Sequence, residues 1–286
     1  MSPTPAAQPE ANKFIIQPQR GLTALNLRDL WLFRELIYFL TWRDIKVRYK
    51  QTLLGAGWAL LQPLLQMLVF NVLFGDVAGL STGGIPRPIF TYAALLPWNL
   101  FSTAISDAGR SLVTSRNMIT KVYFPRLIVP LSSILSGVVD FAIAFVLLIG
   151  MMVYYGIAPN ANVWLLPLYL LLGLTTALGV GLWLSALNVH YRDVRYLIPF
   201  LTQFWMLASP IAYLSNEVFD RLPEGLSWLY ALNPMVGVID GFRNALLGSE
   251  LYSADVIWIS IVVALLLLVS GLFYFRSMER TFADTV

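Results

Sequence analysis

Six stretches of the chain, 53–74, 89–105, 127–155, 163–187, 196–214 and 256–275, are apolar on every face of a helical wheel. A hydrocarbon core about 30 Å thick takes about 20 apolar helical residues to cross, and each of the six meets or approaches that length. The strands of a membrane barrel would alternate apolar and polar residues over about 10 positions, which none of these stretches does. The pattern therefore predicts an all-α polytopic membrane protein with a six-helix transmembrane domain over 53–275. Before it lies a mixed stretch, 27–52, in which Trp31, Phe33, Tyr38, Phe39 and Trp42 alternate with Arg28, Arg34, Arg43, Lys46, Arg48 and Lys50. That mixture suits an amphipathic helix lying in the headgroup layer, and the simpler reading as a basic stop leaves the five aromatics unaccounted for. Arg34, Asp44 and Arg48 fall on the face that Leu30, Ile37 and Ile45 would bury, so a break near Thr41 or burial against protein is expected. Residues 1–26 are polar and proline-containing and read as a disordered cytoplasmic lead-in without the apolar core of a signal peptide.

Between the fifth and sixth stretches, residues 215–255 include apolar runs at 226–232 and 235–247, each too short to span and set off by Pro223 and Pro234. They read as two short helices that dip into the outer leaflet or cap a pore, or else as an ordinary folded loop. Composition agrees with a lipid-embedded chain, at 58% hydrophobic and 12% charged residues over 286 positions and a mean hydropathy of +0.69. Sixteen of the 19 Lys and Arg residues fall in the arm 1–52, the loops 106–126 and 188–195 and the tail 276–286. By the positive-inside rule both termini face the cytoplasm. The net charge of +3 then needs no nucleic acid, because these cations meet anionic lipid headgroups.

The absence of cysteine removes disulfides, thiol catalysis and thiolate metal sites. No phosphate-binding G-x-x-x-x-G-K-[ST] loop occurs, so any use of ATP and Mg requires a separate subunit, and this chain itself carries no cofactor. His190, the one histidine, reads as a surface residue of an inner loop rather than a metal ligand. Within the six stretches the only ionisable acid is Asp140, which must be paired or face water. It could serve an ion relay, or form a structural hydrogen bond to the Ser132, Ser133 or Ser136 surface of a neighbour. The other polar groups there are mostly neutral, Gln62, Gln66, Asn71, Asn99, Ser102, Gln203 and Ser209, set among Trp58, Trp98, Phe101, Phe204, Trp205 and Tyr213. Amides beside flat aromatic faces suit sugars; helix-to-helix hydrogen bonding and interfacial aromatic belts are the other account.

Four stretches carry a resemblance: Trp42-Arg43-Asp44-Ile45-Lys46-Val47-Arg48-Tyr49-Lys50-Gln51-Thr52-Leu53-Leu54-Gly55 running into Trp58 and Gln62-Pro63; Lys121-Val122-Tyr123-Phe124-Pro125-Arg126; Tyr191-Arg192-Asp193-Val194-Arg195; and Leu232-Asn233-Pro234-Met235. Their order and spacing over 30–275 resemble the permease subunits of type-2 ABC exporters for O-antigen, capsular polysaccharide and teichoic acid. The resemblance implies a homodimer of six-helix subunits in the bacterial inner membrane, bound to two ATP-binding subunits. Its substrate would be an undecaprenyl-pyrophosphate-linked polysaccharide. An ABC-type drug or small-lipid exporter shares the six-helix plan without the first motif block, and a membrane-embedded glycosyltransferase would want several carboxylates at a rim that is basic here.

The resemblance also implies roles for particular residues. The inner loop at 114–124 would dock in a groove of the ATPase, with Arg116 and Lys121 supplying charge and Met118, Ile119, Val122 and Tyr123 the apolar contact. Arg43, Arg48 and Lys50, just before the first stretch, would meet the substrate pyrophosphate, although attraction to anionic lipid also accounts for them. A long glycan must thread a channel that holds it weakly at many places, for which Trp58, Gln62, Gln66 and Phe70 in the first stretch and Phe204, Trp205 and Tyr213 in the fifth are the expected lining. Gln62, Gln66 and Phe70 recur every four residues and share one helix face, which could instead pack a dimer or meet lipid.

Overall fold

A computed structural model describes residues 27–50, 55, 57–221, 223, 227–249, 253–279 and 282. The expected lead-in at 1–26 lies outside the described residues. Helices account for the described fold: α1 (Leu27–Leu32), α2 (Arg34–Tyr49), α3 (Gly57–Phe70), α4 (Arg87–Thr114), α5 (Arg116–Lys121), α6 (Ile128–Tyr155), α7 (Leu166–His190), α8 (Val194–Leu207), α9 (Ser215–Arg221), α10 (Ser227–Ala231), α11 (Pro234–Leu247) and α12 (Ala254–Met278). No strand occurs among the described residues. Four helices are long and apolar enough to cross a membrane, over Gly57–Gly75, Ile128–Tyr155, Ala161–His190 and Asp255–Met278. The first of these runs from α3 into a π-helical turn, Asn71–Val77.

The organising helix is α4, whose residues from Ile89 to Trp98 are all buried. It packs against α7, α6, α11, α3 and α8. A helix shielded by protein on all sides need not be uniformly apolar, and at 28 residues it runs well past the expected 89–105 stretch to carry Asp107 and Arg110 toward its C-terminal end. By contrast α8 stops at Leu207, so the fifth expected stretch, 196–214, is helical only in its first part. Its last residues, 208–214, form a non-helical turn held by Asn233, which donates to Ala208 O at 3.1 Å and to Ser209 Oγ at 3.1 Å.

The amphipathic stretch forms an unbroken helix from Arg34 to Tyr49, with its interruption at Phe33 rather than near Thr41. Its conflict of faces is resolved by burial against protein. Leu40 is buried, while Trp31, Tyr38, Phe39, Trp42 and Val47 stay exposed. Packing on α6 is in parallel register, with Thr41 donating to Ser132 O at 3.4 Å and Arg48 reaching Ser136 Oγ at 3.2 Å one helical layer on.

Where α7 meets α12 the backbones nearly touch. A Cβ on Gly179 would sit 2.6 Å from the Leu267 and Leu268 backbone, and one on Gly271 would collide with the Gly179 carbonyl. The outer segment holds three helices, α9 to α11, of which α11 covers the second expected run and α10 most of the first. Twelve of the 14 residues of α11 are buried, against α4, α7 and α12.

Candidate functional site

The C-terminal end of α2 meets the last third of α4 and the middle of α6 in a charge cluster. Arg48 donates Nη2 to Asp107 at 2.6 Å and pairs through Nη1 with Asp140, while the Tyr49 hydroxyl also donates to Asp140. Asp140 is thus paired as the sequence required, but with Arg48 and Tyr49 rather than with the serines. Ser132, Ser133 and Ser136 turn their hydroxyls back onto carbonyls of α6 itself, at 2.8–3.2 Å. The serine path fails because α2, and not another apolar helix, occupies that side of α6. Asp107 went unread in the sequence because it lies two positions past the apolar stretch; extending the helical period through it would have exposed it.

Above the cluster, α3, α4 and α6 enclose a cavity of about 310 Å³ lined by Arg48, Tyr49, Trp58, Gln62, Asn99, Thr103 and Asp140, with Pro63, Leu96, Leu100, Phe141 and Ala144 as its apolar wall. The cavity unites Trp58 and Gln62 with Arg48. Gln66 lies one turn further along, accepting from Asn99 Nδ2 at 2.9 Å, and Phe70 packs against Phe74 with ring centres 5.3 Å apart and planes tilted by 33°. Arg43 is held by its neighbour Asp44 at 2.8 Å, and Lys50 is exposed. Of the three cations expected to greet a pyrophosphate, Arg48 is therefore committed to two carboxylates and Arg43 to one.

The residues expected from the fifth stretch lie elsewhere. Phe204 is exposed, 4.6 Å from Phe200. Trp205 meets Phe101 edge-on at 5.0 Å and donates Nε1 to Asn233 at 2.8 Å. Tyr213 donates to Leu207 O at 3.3 Å. Within one protomer α3 and α8 both lean on α4, so this set shares no single pocket with Trp58 and Gln62.

Beyond the C-terminal end of α4, α5 and the two residues after it split the apolar positions of 116–123 between two faces. Ile119 is buried and Met118 partly so, in a cluster with Leu40 of α2, Phe124, Leu127 and Phe282, whereas Val122 and Tyr123 are exposed together with Arg116 and Lys121. The outward contact surface is accordingly narrower than the sequence suggested. A six-residue helix has room for one inward face, and Ile119 takes it. Arg126 closes the segment by donating to Glu279 O, with its backbone N–H on Glu279 Oε1 at 3.3 Å.

On the outer side Asn233 explains the Leu-Asn-Pro-Met motif. Its Oδ1 accepts from Met235 N at 3.0 Å, capping α11, and from Trp205, while Pro234 fills the first helical turn. Sequence reading also missed Arg243, fully buried, with its guanidinium 3.9 Å from the centre of the Phe90 ring and one nitrogen on Tyr213 O at 3.3 Å. Burial pulls its pKa down to about 10, partly offset by Asp240, whose own carboxyl burial pushes up to about 6 despite Arg243 and a Ser215 hydrogen bond. An acid and a base three residues apart inside an apolar run were the available signal.

The chain is similar to known proteins over almost its whole length. It is 31% identical to the O-antigen export system permease protein RfbA of Myxococcus xanthus over 91% of this chain and 98% of the relative. A Klebsiella pneumoniae protein of the same name is 28% identical over 87% and 94%. The polysialic acid transport protein KpsM of Escherichia coli is 23% identical over 83% and 91%. The sequence pattern of the family described as ABC-2 type transporter matches residues 35–247, from the start of α2 to the last residue of α11. That span takes in the charge cluster, the cavity, α5 and the outer cap, and the chain belongs to the ABC-2 type transporter family.

Proposed function

We propose that the chain is the membrane-spanning permease of an ATP-driven exporter that moves a lipid-linked polysaccharide, such as an O-antigen on undecaprenyl pyrophosphate, from cytoplasm to periplasm. The observation that carries this reading is the end-to-end similarity to O-antigen export permeases, at 98% coverage of the first relative. Two copies of the chain would form the channel and two separate ATP-binding subunits would supply hydrolysis. Six crossings follow if the buried α4 and the short α8 with its non-helical extension join the four apolar helices. The excess of Lys and Arg in 1–52, 106–126, 188–195 and 276–286 then puts both termini in the cytoplasm of a bacterial inner-membrane protein. In that orientation α2 enters from the inner headgroup layer with its exposed aromatics toward lipid and climbs along α6 as far as Asp140, and α9 to α11 cap the outer side.

A deletion of the gene tests the reading. Surface glycan should disappear while the lipid-linked glycan accumulates at the inner face of the membrane, and the intact chain should restore export only with an active ATPase partner. Surface glycan that persists in the deletion strain excludes the assignment.

A further inference from the structure

The cavity between α3, α4 and α6 has a size and a charge balance that select among the parts of such a substrate. At about 310 Å³ it stands at the lower end of small-molecule sites, which run about 300–1,000 Å³. It has room for one ring and not for a run of them. Its floor contains a cation, Arg48, but one guanidinium faces the two carboxylates of Asp107 and Asp140. An approaching phosphate finds that guanidinium already engaged by two carboxylates, and must come close to the Asp140 carboxylate to reach it, so Arg48 offers it little.

Hydroxyl groups meet a different environment. Gln62 and Thr103 make no hydrogen bond among the described residues, and Asn99, which also lines the cavity, uses its amide N–H on Gln66 and keeps its Oδ1 as an acceptor. Asp140 adds an acceptor at the floor, its carboxylate held in place by Arg48 and by the Tyr49 hydroxyl, which donates to it. Trp58, about half exposed at 49%, supplies a flat apolar face at the mouth. Donors, acceptors and an aromatic face around a volume of one ring suit a neutral pyranose, whose C–H face packs on the indole while its hydroxyls replace water.

We propose that this cavity is a subsite for a single neutral sugar residue and not for a phosphate. The choice of a sugar rests on the polysaccharide reading above. Arg48 acts in it as a positioning residue, holding the two carboxylates and the end of α2 in place. The wall is mostly apolar, so the hold is weak enough for the residue to move on.

The cysteine-free chain allows a direct test. In the complete permease–ATPase complex in lipid nanodiscs, Thr103→Cys becomes the single thiol of the permease chain, and its modification by a small maleimide is followed on that chain after the subunits are separated by electrophoresis. The probes are free hexoses and N-acetylhexosamines on one side and inorganic pyrophosphate on the other, at matched ionic strength. A sugar at twice its dissociation constant should slow labelling about threefold, while pyrophosphate leaves the rate unchanged. Trp58→Ala should abolish the protection and Trp58→Phe should keep part of it. Protection by pyrophosphate and not by sugars, no protection by either, or sugar protection that survives Trp58→Ala overturns the subsite. Export measured in cells with the unmodified chain keeps the two readings apart, since intact export with no sugar protection sinks the subsite alone.

Discussion

Arg48 holds two carboxylates from two helices at once, and a guanidinium does this where an ammonium cannot, because its planar fork presents separate N–H pairs. Arg48→Lys should therefore keep one ion pair and lose the other. Arg48→Ala leaves both carboxylates facing each other and should lower stability by about 3 kcal/mol, the lower end of the range for a broken buried pair, because the three side chains keep 28%, 37% and 26% of their surface. Thermal unfolding in nanodiscs checks this, and adding Asp107→Asn and Asp140→Asn to Arg48→Ala should recover most of the loss. If Arg48 instead served a phosphate, the triple variant would regain stability without export. The outer cap holds a second residue-scale test. Asp240 titrates near pH 6 in the folded state against about 4 when unfolded. Its protonated form is the one folding favours, so the contribution is complete below about pH 4 and lost as pH rises through 6. A melting curve series from pH 4.5 to 7.5 should show a downward slope that Asp240→Asn flattens, with Arg243 and Tyr230 as the neighbouring ionisable groups; equal slopes in both proteins would contradict it. Asp140 was legible in the sequence as a charge that needed a partner. Its partner was not, because pairing across 92 positions depends on how α2 packs, which the mixed faces of 34–49 left open.

At the scale of elements, α5 divides a run that reads as uniform in sequence. The apolar residues at 118, 119, 122 and 123 were legible as a contact surface, but six residues do not reveal which of them the rest of the chain will cover. Val122→Asp with Tyr123→Asp changes only exposed positions and should leave the melting temperature unchanged while removing stimulation of the partner ATPase. Ile119→Asp places a charge in the cluster with Leu40 and Phe282 and should unfold the inner end, visible as loss of expression. Full ATPase stimulation in the Val122/Tyr123 variant would rule out docking through this face. Asn233→Ala is the corresponding probe at the outer end. It removes a helix cap, about 1 kcal/mol, and also leaves the Trp205 indole N–H without its acceptor, so the loss should exceed that of a cap alone. The cap residue was legible from Asn-Pro at the head of an apolar run, whereas its grip on 205, 208 and 209 required the early end of α8, which the continuous apolar stretch concealed.

For the whole molecule, the helical class and the lipid-embedded character were legible because they follow from apolar length alone. The central place of α4 was not, since a helix wrapped by protein is less apolar than its lipid-facing neighbours. The expected channel lining is distributed over α3, α8 and the turn that follows α8, and α3 and α8 meet α4 separately; the two-copy channel proposed above would bring these surfaces together. Single cysteines at Gln62, Gln66 and Phe70, labelled with an impermeant reagent during stalled export, should react faster than cysteines at Val146 or Val153, exposed positions on α6. Of the three, Gln62 should lead, because Gln66 is bonded to Asn99 and Phe70 packs against Phe74. Rates no higher than those on α6 would exclude α3 from the path. Any passage wide enough for a glycan also demands that helices part, and the contact at Gly179 and Gly271 restricts where that can happen. Two backbones with no side chain between them have nothing compressible to yield, so α7 and α12 should move as a single strut, and the parting of helices falls to α3 and α8, where few side chains are buried.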